Sequence, residues 1–262
     1  MNLSGDVSPI GLALSLTLIA VAIGLSLWLG LGLEGQILWA ALRALVQLLI
    51  VGALLVFVLE PERSLVWSVV WVVVMVVFAA ETVGRRARGV PRARTLSLVA
   101  FAATGAVTMG VLFVLGIFPL EPRTLVPLAG LTIGNSMTAT ILVANRIVAE
   151  FRDSRPLVEV RLALGFSARD AFRPYLRAAV NTALIPQIER TKAVGIVFLP
   201  GAMTGLILAG VDPLDAVMVQ IVVMYLVLGS VAVTTTVVAV GLSQTLFTPD
   251  QRAKHIEGER PA

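Results

Sequence analysis

The run Ile10-Gly-Leu-Ala-Leu-Ser-Leu-Thr-Leu-Ile-Ala-Val-Ala-Ile-Gly-Leu-Ser-Leu-Trp-Leu-Gly-Leu-Gly-Leu33 carries no charged side chain. Crossing a bilayer as a helix takes about 20 apolar residues. This run is long enough, and others follow it. Gln36 to Leu59 is a second, interrupted by Arg43 and Gln47, and Leu65 to Ala80 a third, rich in Val and Trp. Leu96 to Phe118, Leu125 to Val148, Val194 to Leu208 and Pro213 to Leu242 complete the set. The sixth is the shortest and contains Pro200-Gly201. Only helices and closed barrels satisfy their backbone in lipid. The alternating pattern of a membrane barrel is missing. The reading is all-α: a polytopic helical bundle of about seven transmembrane helices.

Composition agrees. Of 262 residues, 58% are hydrophobic and 14% charged, and the mean hydropathy is +0.94. A soluble domain carries about 25% charged residues, and one soluble core could not bury this much apolar surface. A secreted, disordered or nucleic-acid-binding chain is excluded as the default. There is no cysteine and one histidine, His255, read as a solvated tail residue. The sequence therefore offers no disulfide framework and no thiolate or zinc-ribbon site.

Lys and Arg orient the spans. With the N-terminus outside, the inside segments hold sixteen, among them Arg85, Arg86, Arg88, Arg92, Arg94, Arg190 and Lys192. The outside segments hold only Arg63 and Arg123. The expectation is N-out, C-in. The outside then carries Asp6, Glu60, Glu62, Glu121, Asp212 and Asp215. The first run lacks a basic flank and exceeds the core of a cleaved signal, so it reads as a span. Residues 1–262 are expected to form one transmembrane domain, with 149–193 as a cytoplasmic segment and 243–262 as a cytoplasmic tail.

The segment 149–193 is too structured in pattern for a linker. Pro156 suits the first turn of a helix and Gly165 its end. Ser167 with Asp170 three residues on opens a second. Two short helices meeting at a sharp inner corner are expected, formed by Glu159, Arg161, Gly165, Ser167, Arg169, Asp170 and Arg173. Such a corner suits docking of a partner protein. An amphipathic helix lying on anionic lipid is the rival reading.

The polar residues inside spans are the candidate pathway. Arg43 costs about 2.5–3.5 kcal/mol at the centre of a bilayer and calls for a partner. Gln47 shares its face, and Glu81 at the inner end of the third span is the expected partner, either at a pathway mouth or as a structural pin. In the fifth span Thr132, Asn135 and Thr138 recur every three residues beside Ser136 and Met137, and Asn145 extends the stripe. Amides and hydroxyls at that depth hydrogen-bond between helices or touch a partly hydrated cation. Gly130/Gly134 after Pro127, and Gly201/Gly205 after Pro200, mark two Gly/Pro-interrupted spans, a pointer to transporter sites. Met137, Met203, Met218 and Met224 read first as packing, although thioethers also suit soft ions. Thr234 to Thr236 are expected to bond back to their own helix.

Three blocks carry a resemblance. They are Ala41-Leu-Arg43-Ala-Leu-Val-Gln47-Leu-Leu, Gly134-Asn-Ser-Met-Thr138-Ala-Thr, and Thr191-Lys-Ala-Val-Gly195-Ile-Val-Phe-Leu-Pro200-Gly-Ala-Met-Thr-Gly205-Leu-Ile-Leu-Ala-Gly210. The chain resembles the FetB family of ABC permeases, described as iron exporters, whose relatives include membrane proteins of aluminium tolerance. The inner corner resembles the Glu-Ala-Ala, three residues, Gly element of ABC permeases through Glu159 and Gly165, with Val160 and Arg161 in place of the alanines. The resemblance implies a permease subunit in the bacterial inner membrane, two copies pairing with two copies of a separate ATPase, and a metal ion as substrate. Its metal-binding residues are unknown. No Gly-x-x-x-x-Gly-Lys-[Ser/Thr] loop occurs in the sequence, so ATP and Mg are expected on the partner and no cofactor in this chain. A stand-alone transporter or channel would predict related halves, and a membrane-embedded enzyme would need a nucleophile–base pair or metal cluster. Neither signature is found.

Overall fold

A computed structural model describes residues 9–60, 64–87 and 89–254. His255 and the rest of the tail lie outside the described residues, as do Asp6, Glu62, Arg63 and Arg88. The described chain is helical: α1 (Pro9–Leu29), α2 (Glu34–Val58), α3 (Leu65–Arg86), α4 (Ala93–Val114), α5 (Pro122–Asp153), α6 (Arg155–Ala163), α7 (Ala168–Ala193), α8 (Gly201–Leu208) and α9 (Pro213–Thr245). Five of these, α2, α3, α4, α5 and α9, are long and apolar enough to cross a membrane.

Local chemistry sets the ends. Gly30 (φ 62°) and Gly32 (φ 66°) take left-handed conformations between α1 and α2, which glycine adopts without a Cβ clash. Ser26 ties that hairpin, donating to Glu34 Oε1 at 2.7 Å. Asp212 caps α9, its Oδ1 accepting from Leu214 N at 2.9 Å, with Pro213 in the first position.

The helices α3, α4, α5, α7 and α9 pack into one bundle, with α5 against α9 at its centre. Its tightest positions are small: Ala79, Ala80, Ala100, Ala129, Ala144, Ala179, Ala183 and Ala239 are all buried. Lipid is as apolar as a side chain, so membrane helices associate through close packing, and small residues let backbones approach. Phe101, Phe151, Phe172, Val83, Ile147, Leu242 and Phe247 fill one end of the bundle. Leu112, Leu128, Val223, Leu226 and Val231, with Leu184, fill the other. α1, which has no charged residue, and α2, which carries Arg43 and Gln47, form a hairpin at the side that is almost wholly exposed.

Two expectations are corrected. Residues 194–208 are not a span. Val194 to Pro200 is irregular, with Gly195 at φ 84°, and α8 has only 8 residues, about 12 Å of helix. Nor is 149–193 a pair of short helices at a corner. α6 is short, but α7 runs for 26 residues, about 39 Å, packed along α5 and α9. Phe172 near its start meets Phe151 and Phe247, and Leu184 joins the cluster at the other end. α7 is thus antiparallel to α5. Arg190 and Lys192 move to the end opposite the corner. A third expectation fails more narrowly: α5 continues unbroken through Pro127, which lies near its N-terminus, where one missing N–H disrupts little of the ladder.

Candidate functional site: the corner and the α5–α7 face

The corner is built as the sequence suggests at α6 and at the start of α7. α6 ends in a Schellman arrangement. Gly165 (φ 89°) donates to Leu162 O at 3.0 Å, and Phe166 N to Arg161 O at 3.1 Å. Ser167 Oγ accepts from Asp170 N at 3.1 Å and donates to Asp170 Oδ2 at 2.6 Å. Arg161 reaches across the turn, donating to Ala171 O at 3.3 Å, and its guanidinium lies 5.8 Å from the Phe166 ring centre. Glu159 pairs with Arg155 at 2.9 Å. Ala168 N donates to Gln251 Oε1, which ties the tail to the corner. Arg169, Asp170 and Arg173 line an open cavity of about 760 Å³ with Gln244 and Thr248 of the α9 end. Beside it Leu157, Val160, Leu164 and Phe166 are exposed, Leu164 by 72%. The corner is tied by these bonds, basic, and apolar at its tip.

Arg43 and Glu81 do not meet. Glu81 binds Arg94 at 2.8 Å and Arg85 at 2.9 Å. α2 touches α3 where Phe57 packs edge-on against Trp67 at 5.7 Å. The half of α2 that carries Arg43 and Gln47 is exposed, and Arg43 has no ion-pair partner among the described residues. The pairing fails because α2 joins α1 in a side hairpin instead of lying along α3.

The fifth-span stripe splits in two. Thr132 and Ser136 are buried in the bundle with Thr140. Thr132 Oγ1 donates to Ala129 O at 2.9 Å, while Ser136 Oγ has no partner among the described residues. Asn135 is half-buried, its Nδ2 donating to Leu131 O at 2.8 Å, and Thr138 and Asn145 are exposed. Met137 packs against the inner cluster. A step of 100° per residue puts positions three apart on drifting sides, so one sequence stripe serves two faces. Pro200 is half-buried and Gly201 exposed, at the head of α8 and away from these residues.

Sequence reasoning missed α7. Its uncovered side carries Arg177, Asn181 and Thr182, and its covered side Gln187. Counted from the Phe151–Phe172 contact at about 1.5 Å per residue, Arg177 stands level with Asn145 and Arg146. Asn181 and Thr182 approach the level of Thr138. Arg146 is held by Glu150 at 2.7 Å. Two adjacent helices thus carry uncovered polar residues at similar levels, Thr138, Asn145 and Arg146 on α5 and Arg177, Asn181 and Thr182 on α7. The available signal was the apolar stretch 178–188 between Arg177 and Glu189, too short and too polar for a hydropathy window. Among the described residues no group of three His, Cys, Asp or Glu could hold a metal ion.

Known proteins place the chain. Residues 9–247 match the family model described as "Uncharacterised protein family (UPF0014)". The rice "UPF0014 membrane protein STAR2" is 40% identical over 76% of this chain and 69% of its own length. "Protein ALUMINUM SENSITIVE 3" of Arabidopsis thaliana is 37% identical over 77% of this chain and 73% of that protein. "Probable iron export permease protein FetB" of Escherichia coli is 33% identical over 78% of each. No solved structure matches.

Proposed function

The chain belongs to the UPF0014 family of membrane proteins, and on that premise we propose that it is the permease subunit of an ATP-driven, ABC-type transporter. Two copies pair with two ATPase subunits, which bind ATP and Mg, and the complex exports a metal cation such as iron. The relative in Escherichia coli carries iron export in its name.

The observation that carries this reading is the tip of the corner. Leu157, Val160, Leu164 and Phe166 are exposed at the most basic end of the bundle. That end bears Arg85, Arg86, Arg92, Arg94, Arg152, Arg155, Arg161, Arg169 and Arg173, as cytoplasmic ends do. An apolar tip on a rigid element outside the lipid is a docking surface. The tip is bonded to the start of α7, so a push from an ATPase would move α7 along α5 and α9. With α7 as a crossing and α1 counted among the spans, the chain crosses seven times, N-out and C-in. Fifteen Lys and Arg then lie inside or at the inner interface, Arg63, Arg123, Arg190 and Lys192 outside, and Arg43 within α2.

The pathway in this reading lies on the α5–α7 face. Asn135, Thr138, Asn181 and Thr182 are poor lipid-facing residues, because an amide in hydrocarbon seeks a partner. A second copy across a wet seam covers them. Arg146, Arg173 and Arg177 form the inner mouth.

The test is co-purification. This chain is expressed with a candidate ATPase, as wild type and with Leu164→Ser and Phe166→Ser together. A stoichiometric complex that the double variant loses is expected. A correctly inserted chain that retains no candidate ATPase would sink the reading, and a tip that binds anionic vesicles instead would make it a lipid anchor.

A further inference from the structure

At the corner end of the bundle, the start of α7 and the end of α9 border an open cavity of about 760 Å³ whose two ends differ in chemistry. Phe172 and Phe247, which both line it, lie 6.2 Å apart and set a common level. At about 1.5 Å per residue, Leu176 lies about 6 Å further into the bundle on α7, and Val240 about 10 Å further on α9. Val240 is exposed, on a helix long and apolar enough to cross a membrane. Arg169 lies about 4 Å the other way along α7, and Thr248 stands in the turn beyond α9. The cavity thus runs from a polar end outside the spans to an apolar end beside them.

The polar end holds unspent donors. Arg169 and Arg173 are four residues apart, hence on one face of α7. Both line the cavity, both are exposed, and neither has an ion-pair partner among the described residues. Gln244 on α9 is exposed, and its side chain makes no hydrogen bond among the described residues. Thr248 Oγ1 accepts from Arg252 N at 3.1 Å, which leaves its proton free. One acid, Asp170, also lines the cavity, and its Oδ2 accepts from Ser167 Oγ at 2.6 Å. Two cations therefore face one engaged carboxylate. The backbone donors at the head of α7 are taken, Ala168 N by Gln251 Oε1 and Asp170 N by Ser167 Oγ. The free donors are side chains.

Guanidinium groups with free N–H bonds suit phosphate oxygens. A free phosphate would use the polar end and leave Leu176 and Val240 unmatched. A phosphate joined to acyl chains matches both ends, in the order that a bilayer presents them. Basic cavities between spans at the cytoplasmic interface hold anionic headgroups in this way. We propose that this cavity binds one anionic phospholipid. Arg169 and Arg173 hold its phosphate, Gln244 and Thr248 donate to its headgroup, and an acyl chain lies along Leu176 and Val240. The binding requires only that this end of the bundle lies at a membrane interface. Its bearing on transport rests on the permease reading, in which a lipid held by both α7 and α9 resists the sliding of one along the other.

The experiment uses the full chain purified in detergent without any ATPase, so a failed permease reading leaves it intact. Phosphatidylglycerol and phosphatidylcholine are offered in equal amounts, and bound lipid is counted by native mass spectrometry. One phosphatidylglycerol per chain is expected, preferred by about ten-fold or more, the scale of two arginines acting on one phosphate. Arg169→Gln with Arg173→Gln abolishes the preference, and Gln244→Ala weakens it. Arg86→Gln with Arg152→Gln removes two charges from the same end of the bundle but outside the cavity, and keeps the preference. Inorganic phosphate and glycerophosphoglycerol, the same headgroup without chains, fail to displace the lipid. No preference in the wild type would overturn the site. Equal loss in the two double variants would mean diffuse attraction to a basic surface and would overturn it too. Displacement by inorganic phosphate or by the chainless headgroup at lipid-like concentrations would make it a free-anion site and overturn the lipid assignment.

Discussion

Phe151 at the end of α5 packs edge-on against Phe172 near the start of α7, ring centres 5.5 Å apart. Phe247 beyond α9 closes on both, at 5.5 Å and 6.2 Å. This aromatic cluster, worth about 0.5–1.5 kcal/mol per pair beyond area, pins the start of α7 beside the ends of α5 and α9. From there α7 has one open course, back through the bundle. A segment with the charge of a loop is thereby carried through the interior.

That course is measurable because the chain has no cysteine. Arg169→Cys and Lys192→Cys, made singly, place a thiol at each end of α7. In intact cells a membrane-impermeant maleimide is expected to label position 192 and to spare 169 until the cells are opened. Labelling of both from the same side would return α7 to one side of the membrane.

Within one copy Asn181 is uncovered, and Asn135 is half-buried and bonds only to its own helix, at Leu131 O. Asn135→Leu and Asn181→Leu are expected to leave expression, detergent stability and ATPase association unchanged while lowering transport by about ten-fold, the size of a lost 1.4 kcal/mol interaction. Vesicle uptake assays beside thermal-shift curves separate the two effects. Loss of the fold with no separate loss of transport would move these residues into the core.

The ion pairs make a contrary prediction for the second span. Glu81 and Arg94 touch at 2.8 Å, so a double-mutant cycle between them should show coupling, on the order of 0.2–1 kcal/mol for a pair this exposed. Arg43 and Glu81 share no contact, so Arg43→Ala and Glu81→Ala should add. Coupling between Arg43 and Glu81 would show that α2 folds onto α3.

Inside the bundle Thr104 and Thr234 hydroxyls lie 2.6 Å apart. Thr234 already donates to Ser230 O at 2.7 Å, so Thr104 is the donor between them. Thr234→Val strands the Thr104 proton and is expected to cost about 1 kcal/mol. Thr104→Val removes the donor and should cost less. The double variant should fall well short of the sum in a chemical or thermal unfolding series, and strict additivity would break the assignment.

At the corner, Gly165 at φ 89° has no room for an L side chain's preferences. Gly165→Ala is expected to cost about 1–2 kcal/mol locally and to loosen the angle between α6 and α7. Weaker retention of the ATPase, with insertion preserved, is the expected readout. Undiminished retention would show that the tip docks without a fixed angle.

Much of the fold was legible. A membrane helix declares itself by an unbroken apolar run, because each residue must be soluble in lipid on its own account; α2, α3, α4, α5 and α9 are read that way and are found. Gly165 ends α6 and Ser167 opens α7 because caps are local chemistry. Thr234 bonds back to its own helix for the same reason. The candidate site was legible only in part. Its α6 corner and its α5 amides were named from the sequence, but the α5 stripe was taken as one face when the helix turns it into two. The Arg43–Glu81 pair was inferred from equal depth, which says nothing of lateral distance.

What the sequence determined by itself was whatever depends on single residues and their near neighbours: the membrane as solvent, the long spans, the caps and the charge asymmetry. What only the tertiary structure decided was α7 and everything it touches. Arg177, Asn181, Thr182 and Gln187 look like loop residues because they are costly in lipid. Gln187 is covered within the bundle, where Ala179 and Ala183 let α7 lie close against its neighbours, while Arg177, Asn181 and Thr182 stand on the side of α7 that one copy leaves uncovered. That protection comes from residues far along the chain, and no window on the sequence contains it.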